Sequence, residues 1–263
     1  MLKIRKWLWP VLCLCLLLCG CHKENIPVNT KPTHPTWPTV HPIYTAGEYT
    51  REDIDFVDGI PHCDKAELVI GIDVSHHQEE IDWQAVAESG VEFVFVRLGY
   101  RSFGGLLYVD EWVQQNLQGV REAGLKLGAY HYSQAISVEE ARQEAAHALE
   151  ILGDTPLDLP LVFDWEQENR TKNVPVEVVT DCAIAFCEDV KAAGYLPMVY
   201  FNLYQAEYLM DMSRLVEYPW WFAYYNEEAP FPCWMDCWQY TSSGRVPGIE
   251  GNVDMNIMFS NIG

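Results

Sequence analysis

Three acidic residues stand where apolar, strand-like segments end, and a fourth lies within a strand candidate in another part of the chain. Asp73 follows the apolar run 68–72, Asp164 and Glu166 follow a second run, and Asp254 lies in a late strand candidate. Asp164 and Glu166 are two residues apart, so on an extended strand they face the same side. Clustered carboxyl groups raise at least one pKa, which suits a general acid near neutral pH. The pattern predicts acid–base chemistry, although strand-end acids also occur as solvated charges or helix caps.

Aromatic side chains are concentrated in the segments that would surround these acids. The faces of sugar rings are apolar and stack on aromatic rings, whereas packing in the core is the other explanation for several of these side chains. Strand parity selects a set of residues expected to face the same side as the acids and to bind substrate: Arg97, Tyr132, Tyr200, Asn202, Trp221 and Tyr225, with Gln239 from a strand whose parity the pattern does not fix.

The sequence gives no indication of a metal or an organic cofactor. His76 and His77 are adjacent, and neighbours on an extended chain point in opposite directions, so we interpret them as loop histidines. No serine stands in a G-x-S-x-G context, no cysteine has an evident histidine partner, and no G-x-G-x-x-G follows the first strand. We therefore expect chemistry that needs no cofactor.

Short β-rich runs alternate with helical patterns over most of the chain, which indicates a parallel sheet with helices outside it. The predicted strands are 68–74, 92–98, 127–133, 160–165, 197–201, 220–225, 234–240 and 251–257, and the predicted helices are 82–89, 110–124, 137–153 and 175–193.

The last three predicted strands have little helix between them, which favours an irregular β/α barrel; an open doubly wound sheet is the alternative. In a parallel barrel all strands open at one face through their C-terminal ends, and that face holds the active site. Barrel closure would also place the last strand beside the first. Asp254 and Asp73 are therefore expected to be neighbours.

The N-terminus has the features of an export signal. Lys3, Arg5 and Lys6 precede the apolar stretch 7–18, and Leu18-Cys19-Gly20-Cys21 resembles a bacterial lipobox. We predict a signal peptide at 1–20 and a lipid-modified Cys21, with an ordinary signal peptide or an uncleaved anchor as alternatives. Residues 21–66 are interpreted as a Pro/Thr-rich linker that ends in an irregular lead-in at 51–66, and residues 67–263 as one catalytic domain.

The net charge restricts the kinds of partner that the chain can bind, and the cysteine content bears on possible disulfides. The chain has a formal net charge of −21, and residues 1–20 carry only positive charges, so the mature form would be more acidic still. This balance argues against nucleic acid and against polybasic docking on anionic lipid. We expect a monomer. Five cysteines lie in or near the predicted domain and are interpreted as partly buried thiols, although Cys233 and Cys237 have spacing that allows a local disulfide.

Several segments together resemble glycoside hydrolase family 25, the Chalaropsis-type lysozymes or N-acetylmuramidases. The resemblance covers about residues 67–263, and its motifs occur in order: Gly71-Ile72-Asp73-Val74-Ser75 with Ile81-Asp82-Trp83, Gly128-Ala129-Tyr130-His131-Tyr132, Phe163-Asp164-Trp165-Glu166, Trp238-Gln239-Tyr240-Thr241-Ser242-Ser243-Gly244 and Gly251-Asn252-Val253-Asp254-Met255-Asn256.

The resemblance implies a TIM-like (β/α)5(β)3 barrel and hydrolysis of the β-1,4 bond between N-acetylmuramic acid and N-acetylglucosamine in peptidoglycan. Glu166 matches the family's proton donor, and Asp73, Asp164 and Asp254 match its other carboxylates. Asp164 either attacks the anomeric carbon or steadies the substrate's own 2-acetamido group as that group attacks. The expected location is the outer face of the cell membrane, with Cys21 as the lipid anchor.

Two functions of other classes stay open at this point. The first is a non-catalytic peptidoglycan-binding lipoprotein on the same barrel, which the four carboxylates disfavour. The second is a structural or adhesion protein held out on the linker, for which no residue pattern argues.

Overall fold

The computed structural model describes residues 53–57, 60–64, 67–225 and 235–259. The strands in this part of the chain are β1 Ile54–Val57, β2 Ile60–Cys63, β3 Leu68–Val74, β4 Phe93–Arg101, β5 Leu107–Val109, β6 Lys126–Ser133, β7 Leu161–Trp165, β8 Pro197–Asn202, β9 Trp220–Ala223, β10 Cys237–Gly244 and β11 Val253–Phe259. The α-helices are α1 Trp83–Glu88, α2 Val113–Glu122, α3 Val138–Leu152, α4 Val176–Ala192 and α5 Leu203–Tyr208.

Eight of the strands close into a barrel. Their order around the barrel is β3-β11-β10-β9-β8-β7-β6-β4, and β4 pairs with β3 to complete the circle, while β5 lies on the edge of β4. All neighbours are parallel except β11, which runs antiparallel to both β10 and β3. The predicted irregular barrel is confirmed, and the alternative of an open doubly wound sheet is wrong.

The helices follow the order that the sequence predicts. Each of the four predicted helices is present, shortened by one to three residues at its ends, as α1 to α4. The fifth, α5, is a short helix directly after β8 that the pattern did not delimit. No helix lies between β9 and β11 among the described residues, which therefore provide no helical layer on that part of the barrel wall.

Large aromatic side chains fill the barrel interior. The rings of Phe93 and Phe95 point inward, and Trp221 stacks on Phe95 with ring centroids 4.7 Å apart. Gly71 and Gly128 make room for them, since a Cβ at these two positions would come within 2.3 Å of Phe93 and 2.4 Å of Phe95 respectively. The interior is therefore a packed core, and open space is confined to the rim.

A β-hairpin precedes the barrel. Strands β1 and β2 pair antiparallel from Ile54 opposite Cys63 onward. Ile54 is buried, and the ring of Phe56 packs edge-on against Trp238 at 5.8 Å on the outer wall of β10. The prediction of an irregular lead-in is wrong at these residues, because the hairpin covers barrel wall that no described helix covers.

The predicted signal peptide, Cys21 and the Pro/Thr-rich linker lie outside the described residues. Within the described part, no helix combines the length and apolar character needed to cross a bilayer. Cys182, Cys187 and Cys237 are buried free thiols and Cys63 is a partly exposed one. Cys233 lies outside the described residues, and because Cys237 is a free thiol the structure does not bear out the disulfide that their spacing allows.

Candidate active site

The four predicted carboxyl groups line one cavity of about 190 Å³. Asp73 lies near the end of β3, Asp164 lies in β7, and Glu166 follows β7 directly, so these three sit at the C-terminal ends of parallel strands. Asp254 reaches the same rim because β11 runs antiparallel, which places the start of that strand where the others end. In the register of β11 with β3, Asp254 stands directly opposite Asp73.

Two side-chain amides hold the carboxyl group of Asp73. Its Oδ2 accepts hydrogen bonds from Gln239 Nε2 and Asn256 Nδ2, each 2.8 Å long. Burial raises the pKa of Asp73 well above its ordinary value, and the nearby charge of Asp254 raises it further, although the two amides oppose the shift. Burial also raises the pKa of Asp254, to about 6, and its hydrogen bond with Asp73 opposes that shift. Asp73 therefore keeps the proton that the pair shares.

Gln239 connects Asp73 to two tyrosines. Its Oε1 accepts hydrogen bonds from the hydroxyl groups of Tyr200 at 3.1 Å and Tyr225 at 2.9 Å. The side chain is thereby fixed at both ends, with its NH2 group turned towards Asp73. Tyr200 is buried, whereas the ring of Tyr225 is 55% exposed and available to a ligand at the rim.

On β11, Asn256 connects Asp73 to Trp221 in the same way. Its Nδ2 donates to Asp73, and its Oδ1 accepts a 2.8 Å bond from the indole Nε1 of Trp221. Sequence reasoning included Asn256 in a motif but not among the site residues. The parity of β11 would have identified it, because Asn256 and Asp254 are two residues apart and face the same side.

The carboxyl group of Asp164 has fewer hydrogen-bond partners than that of Asp73. Its Oδ1 is buried and has no hydrogen-bond partner among the described residues. Burial raises the pKa of Asp164 well above its ordinary value, the charges of Glu166 and Asp73 raise it further, and Arg97 opposes the shift. A buried acceptor without a partner is unfavourable, and a ligand that donates a hydrogen bond would relieve this.

Glu166 is partly exposed at the mouth of the cavity. No hydrogen bond to its carboxyl group is found within the described part of the chain. Burial is the largest cause of the increase in its pKa, followed by the charges of Glu168 and Asp254. The group is therefore accessible and holds its proton to a higher pH than an ordinary glutamate.

Arg97 is a fixed positive charge beside these acids. Its Nε donates to Asp110 Oδ2 at 2.8 Å, and one of its terminal nitrogens contacts His76 Nδ1. Asp110 also accepts from the backbone N–H of His76 at 3.1 Å. His76 thus helps to hold Arg97, and its neighbour His77 lines the cavity, and both lie in the short 3-10 turn that connects β3 to α1, as the interpretation of them as loop histidines expects.

Six of the seven predicted substrate-binding residues line the cavity: Arg97, Tyr132, Tyr200, Trp221, Tyr225 and Gln239. Asn202 does not. Its Oδ1 accepts from the backbone N–H of Gln205 at 3.0 Å, and it begins α5 as the N-cap residue. The side chain is engaged in ending β8 and starting the helix, so the structure does not bring it to the site.

Four further residues line the cavity that sequence reasoning did not assign to the site: Ser75, His77, Gln78 and Tyr130. Tyr130 shares the inward parity of Tyr132 on β6, which is a signal that the sequence carried. The other three follow β3 in a single turn of 3-10 helix capped by Ser75, and strand parity gives no information there. Within the described residues, no group of three or more potential ligand side chains forms a metal site.

Comparisons with known proteins agree with this geometry. Residues 72–249 match the family described as glycosyl hydrolases family 25. The protein YegX of Escherichia coli is 33% identical over 194 residues, which cover 71% of this chain and 68% of that protein. The autolytic lysozyme of Clostridium acetobutylicum is 29% identical over 189 residues, or 71% of this chain, and this chain spans about half (54%) of that lysozyme.

A solved structure gives the same result for the fold. The bacterial lysozyme from Streptomyces coelicolor superimposes with a TM-score of 0.63 at 25% identity, over 73% of this chain and 92% of that chain. The family match covers more than half of the sequence and includes Asp73, Asp164 and Glu166. The chain belongs to glycosyl hydrolases family 25.

Proposed function

We propose that this glycoside hydrolase is a peptidoglycan-cleaving lysozyme, an N-acetylmuramidase that hydrolyses the β-1,4 bond between N-acetylmuramic acid and N-acetylglucosamine. The observation that carries the proposal is the meeting of four carboxyl groups from distant segments in one cavity with tyrosine and tryptophan rings. Relatives that are lysozymes, from Clostridium acetobutylicum and Streptomyces globisporus, support the same substrate.

Glu166 acts as the general acid. Cleavage of a glycosidic bond passes through an oxocarbenium-like transition state, and the leaving oxygen needs a proton as the bond breaks. The Glu166 carboxyl group lies at the mouth of the cavity, where a glycan can reach it, and its raised pKa keeps it protonated to a higher pH. After departure of the first sugar the same group, now ionised, takes a proton from water.

Asp164 acts at the anomeric carbon, by one of two routes. It attacks directly, or it accepts a hydrogen bond from the N–H of the substrate's 2-acetamido group while that group attacks. The buried Oδ1 without a described partner is an acceptor that suits such an N–H group. Arg97 favours the ionised form of Asp164, which both routes require.

Asp73 and Asp254 position the sugar and set the charge around Asp164. One proton shared between them limits the negative charge of the cavity, and the amides of Gln239 and Asn256 keep Asp73 in a single orientation. The exposed ring of Tyr225 offers a face on which a sugar ring can stack. Trp221 is buried and lines the same cavity.

The enzyme acts outside the cytoplasm, where its substrate lies. We further propose that lipid on Cys21 holds it on the membrane, that the Pro/Thr-rich linker carries the barrel towards the wall, and that it works as a monomer. The lipobox-like Leu18-Cys19-Gly20-Cys21 and the composition of the linker support this arrangement. Mass spectrometry of the mature N-terminal peptide tests it, and an unmodified N-terminus other than Cys21 would refute it.

The substitution Glu166→Gln tests the assignment of the acid. The amide keeps the shape of the side chain but supplies no proton, so hydrolysis of purified peptidoglycan should fall by about 10²- to 10⁴-fold. Release of reducing ends measures the rate, and mass spectrometry of the products identifies the bond that is cut. Glu122→Gln is the matched control, because Glu122 is an exposed carboxyl group on α2.

Two results would contradict the proposal. Substantial muramidase activity in Glu166→Gln would refute the acid assignment. Binding of peptidoglycan by the wild-type protein without release of reducing ends would instead favour the non-catalytic lipoprotein on the same barrel.

A further inference from the structure

The main chain that carries Glu166 runs past the end of its sheet. Pairing of β7 with β8 ends at Asp164 opposite Tyr200, and pairing with β6 ends at Ser133 opposite Trp165. The last backbone bond is a long one, from the N–H of Glu166 to the carbonyl of Ser133 at 3.4 Å. The carbonyl groups of Trp165 and Glu166 are therefore beyond the ladder, and other donors must satisfy them.

Three buried side chains supply those donors. Gln134 Nε2 donates to the Glu166 carbonyl oxygen at 3.0 Å, and Thr171 Oγ1 donates to the same oxygen at 2.9 Å. Gln205 Nε2 donates to the carbonyl oxygen of Trp165. Gln134 and Thr171 are fully buried and Gln205 is 1% exposed. The two peptide groups on either side of the Glu166 Cα are thus fixed from both neighbouring connections, after β6 and after β8.

These side chains are themselves held in place. Gln205 belongs to the capping box of α5, where its Oε1 accepts from the backbone N–H of Asn202. The backbone carbonyl of Gln134 accepts from Arg170, and Arg170 forms a two-point ion pair with Glu140 at 2.6 and 2.8 Å. The support of the Glu166 main chain therefore extends into α3 and α5.

We propose that Gln134, Thr171 and Gln205 are positioning residues that aim the Glu166 carboxyl group through its main chain. The inference deepens the proposed function and rests on it. Within the described residues no hydrogen bond holds the Glu166 carboxyl group itself, so the direction of its Cα–Cβ bond is the principal constraint on where the proton is delivered. Hydrogen bonds to the backbone fix the position of the Glu166 side chain. Its carboxyl group thereby stays available to protonate the leaving oxygen.

The experiment compares hydroxyl deletions at two buried threonines. Thr171→Val removes the hydroxyl group that bonds to Glu166, and Thr180→Val removes one of similar burial on α4, which bonds to the carbonyl of Val176. Since displacing a reacting group by about 1 Å costs up to about 10²-fold in rate, kcat on peptidoglycan should fall by about 10- to 100-fold in Thr171→Val with KM little changed. Thr180→Val should retain wild-type kcat, and Thr171→Ser should restore it.

Gln134→Met gives a second reading, and it also removes the 3.2 Å hydrogen bond from Gln134 Nε2 to the hydroxyl oxygen of Tyr132. Methionine keeps the volume and removes both N–H donors, so kcat should fall by a similar factor. A loosened Glu166 moves towards solvent and loses part of the burial that raises its pKa, so the alkaline limb of the pH profile of kcat/KM should move to lower pH in Gln134→Met and Thr171→Val. A purely structural role would lower the melting temperature without moving this limb.

The outcomes separate this inference from the function on which it rests. If Glu166→Gln is inactive while Gln134→Met and Thr171→Val keep wild-type kcat and pH profile, the positioning role is refuted and the acid assignment stands. If Thr180→Val loses as much kcat as Thr171→Val, the effect is general destabilisation and the inference again fails. If Glu166→Gln stays active, the proposed function fails first.

Discussion

The two halves of the catalytic cavity are built in opposite ways. On the β3–β11 side, Asp73 and Asp254 face each other across paired strands, and two amide side chains donate to Asp73. On the β7 side, Asp164 has a buried oxygen without a described partner and the Glu166 carboxyl group makes no described hydrogen bond. Described protein groups hydrogen-bond to the first pair of carboxyl groups, whereas the second pair has carboxyl oxygens to which no described group bonds.

This difference distinguishes the carboxyl groups that shape the cavity from those that react with the substrate. A buried acceptor without a partner destabilises a folded protein, so an open carboxyl group at the end of a well-packed strand has to be justified by what it does with a ligand. A carboxyl group that already receives two hydrogen bonds has little capacity left to change partners during a reaction. The β7 side should therefore control turnover, and the β3–β11 side should control the shape and charge of the cavity.

The largest expected effect is that of Asp164→Asn. Removing the group that acts at the anomeric carbon should lower peptidoglycan hydrolysis by about 10²- to 10⁴-fold. The folded protein should be no less stable at neutral pH, because the substitution removes a buried acid whose pKa is raised by burial. Reducing-end assays and thermal melting at neutral pH measure the two effects. A strongly destabilised Asp164→Asn protein would break the comparison, since it would show that Asp164 is part of the support.

An intermediate effect is expected for Gln239→Met. The substitution removes one donor from Asp73 and leaves the hydroxyl groups of Tyr200 and Tyr225 without their acceptor, so stability should fall by about 1–3 kcal/mol. Turnover should fall less than in Asp164→Asn, with a larger change in KM than in kcat. Denaturant unfolding and steady-state kinetics test this, with Gln118→Met on the exposed face of α2 as control. An unchanged KM would contradict a supporting role for Gln239.

The smallest effect concerns pH. The pKa of Asp254 rises from 3.8 to about 6 on folding, so the protonated form stabilises the folded state. That contribution is fully present below the unfolded value and is lost as pH rises through the folded one, so the melting temperature of the wild type should fall between about pH 4 and about pH 7. Asp254→Asn should flatten this dependence. An equally steep curve in the variant would show that protonation of Asp254 does not cause the pH dependence over this range.

Much of this site could be predicted from sequence because strand parity is a local property. Residues two apart on an extended strand face the same side. This rule correctly predicted that Asp164 and Glu166 face one side and that Tyr132 and Tyr200 point inward. Parity failed where strands stop being regular. In β10 the register with β11 shifts after Gln239 and again after Thr241, so counting along the predicted strand could not fix which way Gln239 points.

The misassignment of Asn202 has a related cause. The residue follows Tyr200 with the correct parity, but β8 gives way to α5 at that point, and Asn202-Leu203-Tyr204-Gln205 is a capping-box sequence. In the sequence, the dipeptide Asp58-Gly59 is of the type favoured between hairpin strands, and it separates the segments that form β1 and β2. Long-range features, such as the side-chain support of the Glu166 main chain, had no sequence signal at all.

The pairing of Asp254 with Asp73 joins the first and last strands of the barrel. Contacts between residues so far apart along a chain form late in folding, because the entropy cost of closing a long loop is incurred before the contacts can stabilise the structure. A chain interrupted before β11 would contain Asp73, Asp164 and Glu166 and still lack the partner of Asp73. The ability to cut glycan is thus coupled to completion of the barrel, and a partly synthesised or partly unfolded protein is not a partly active one.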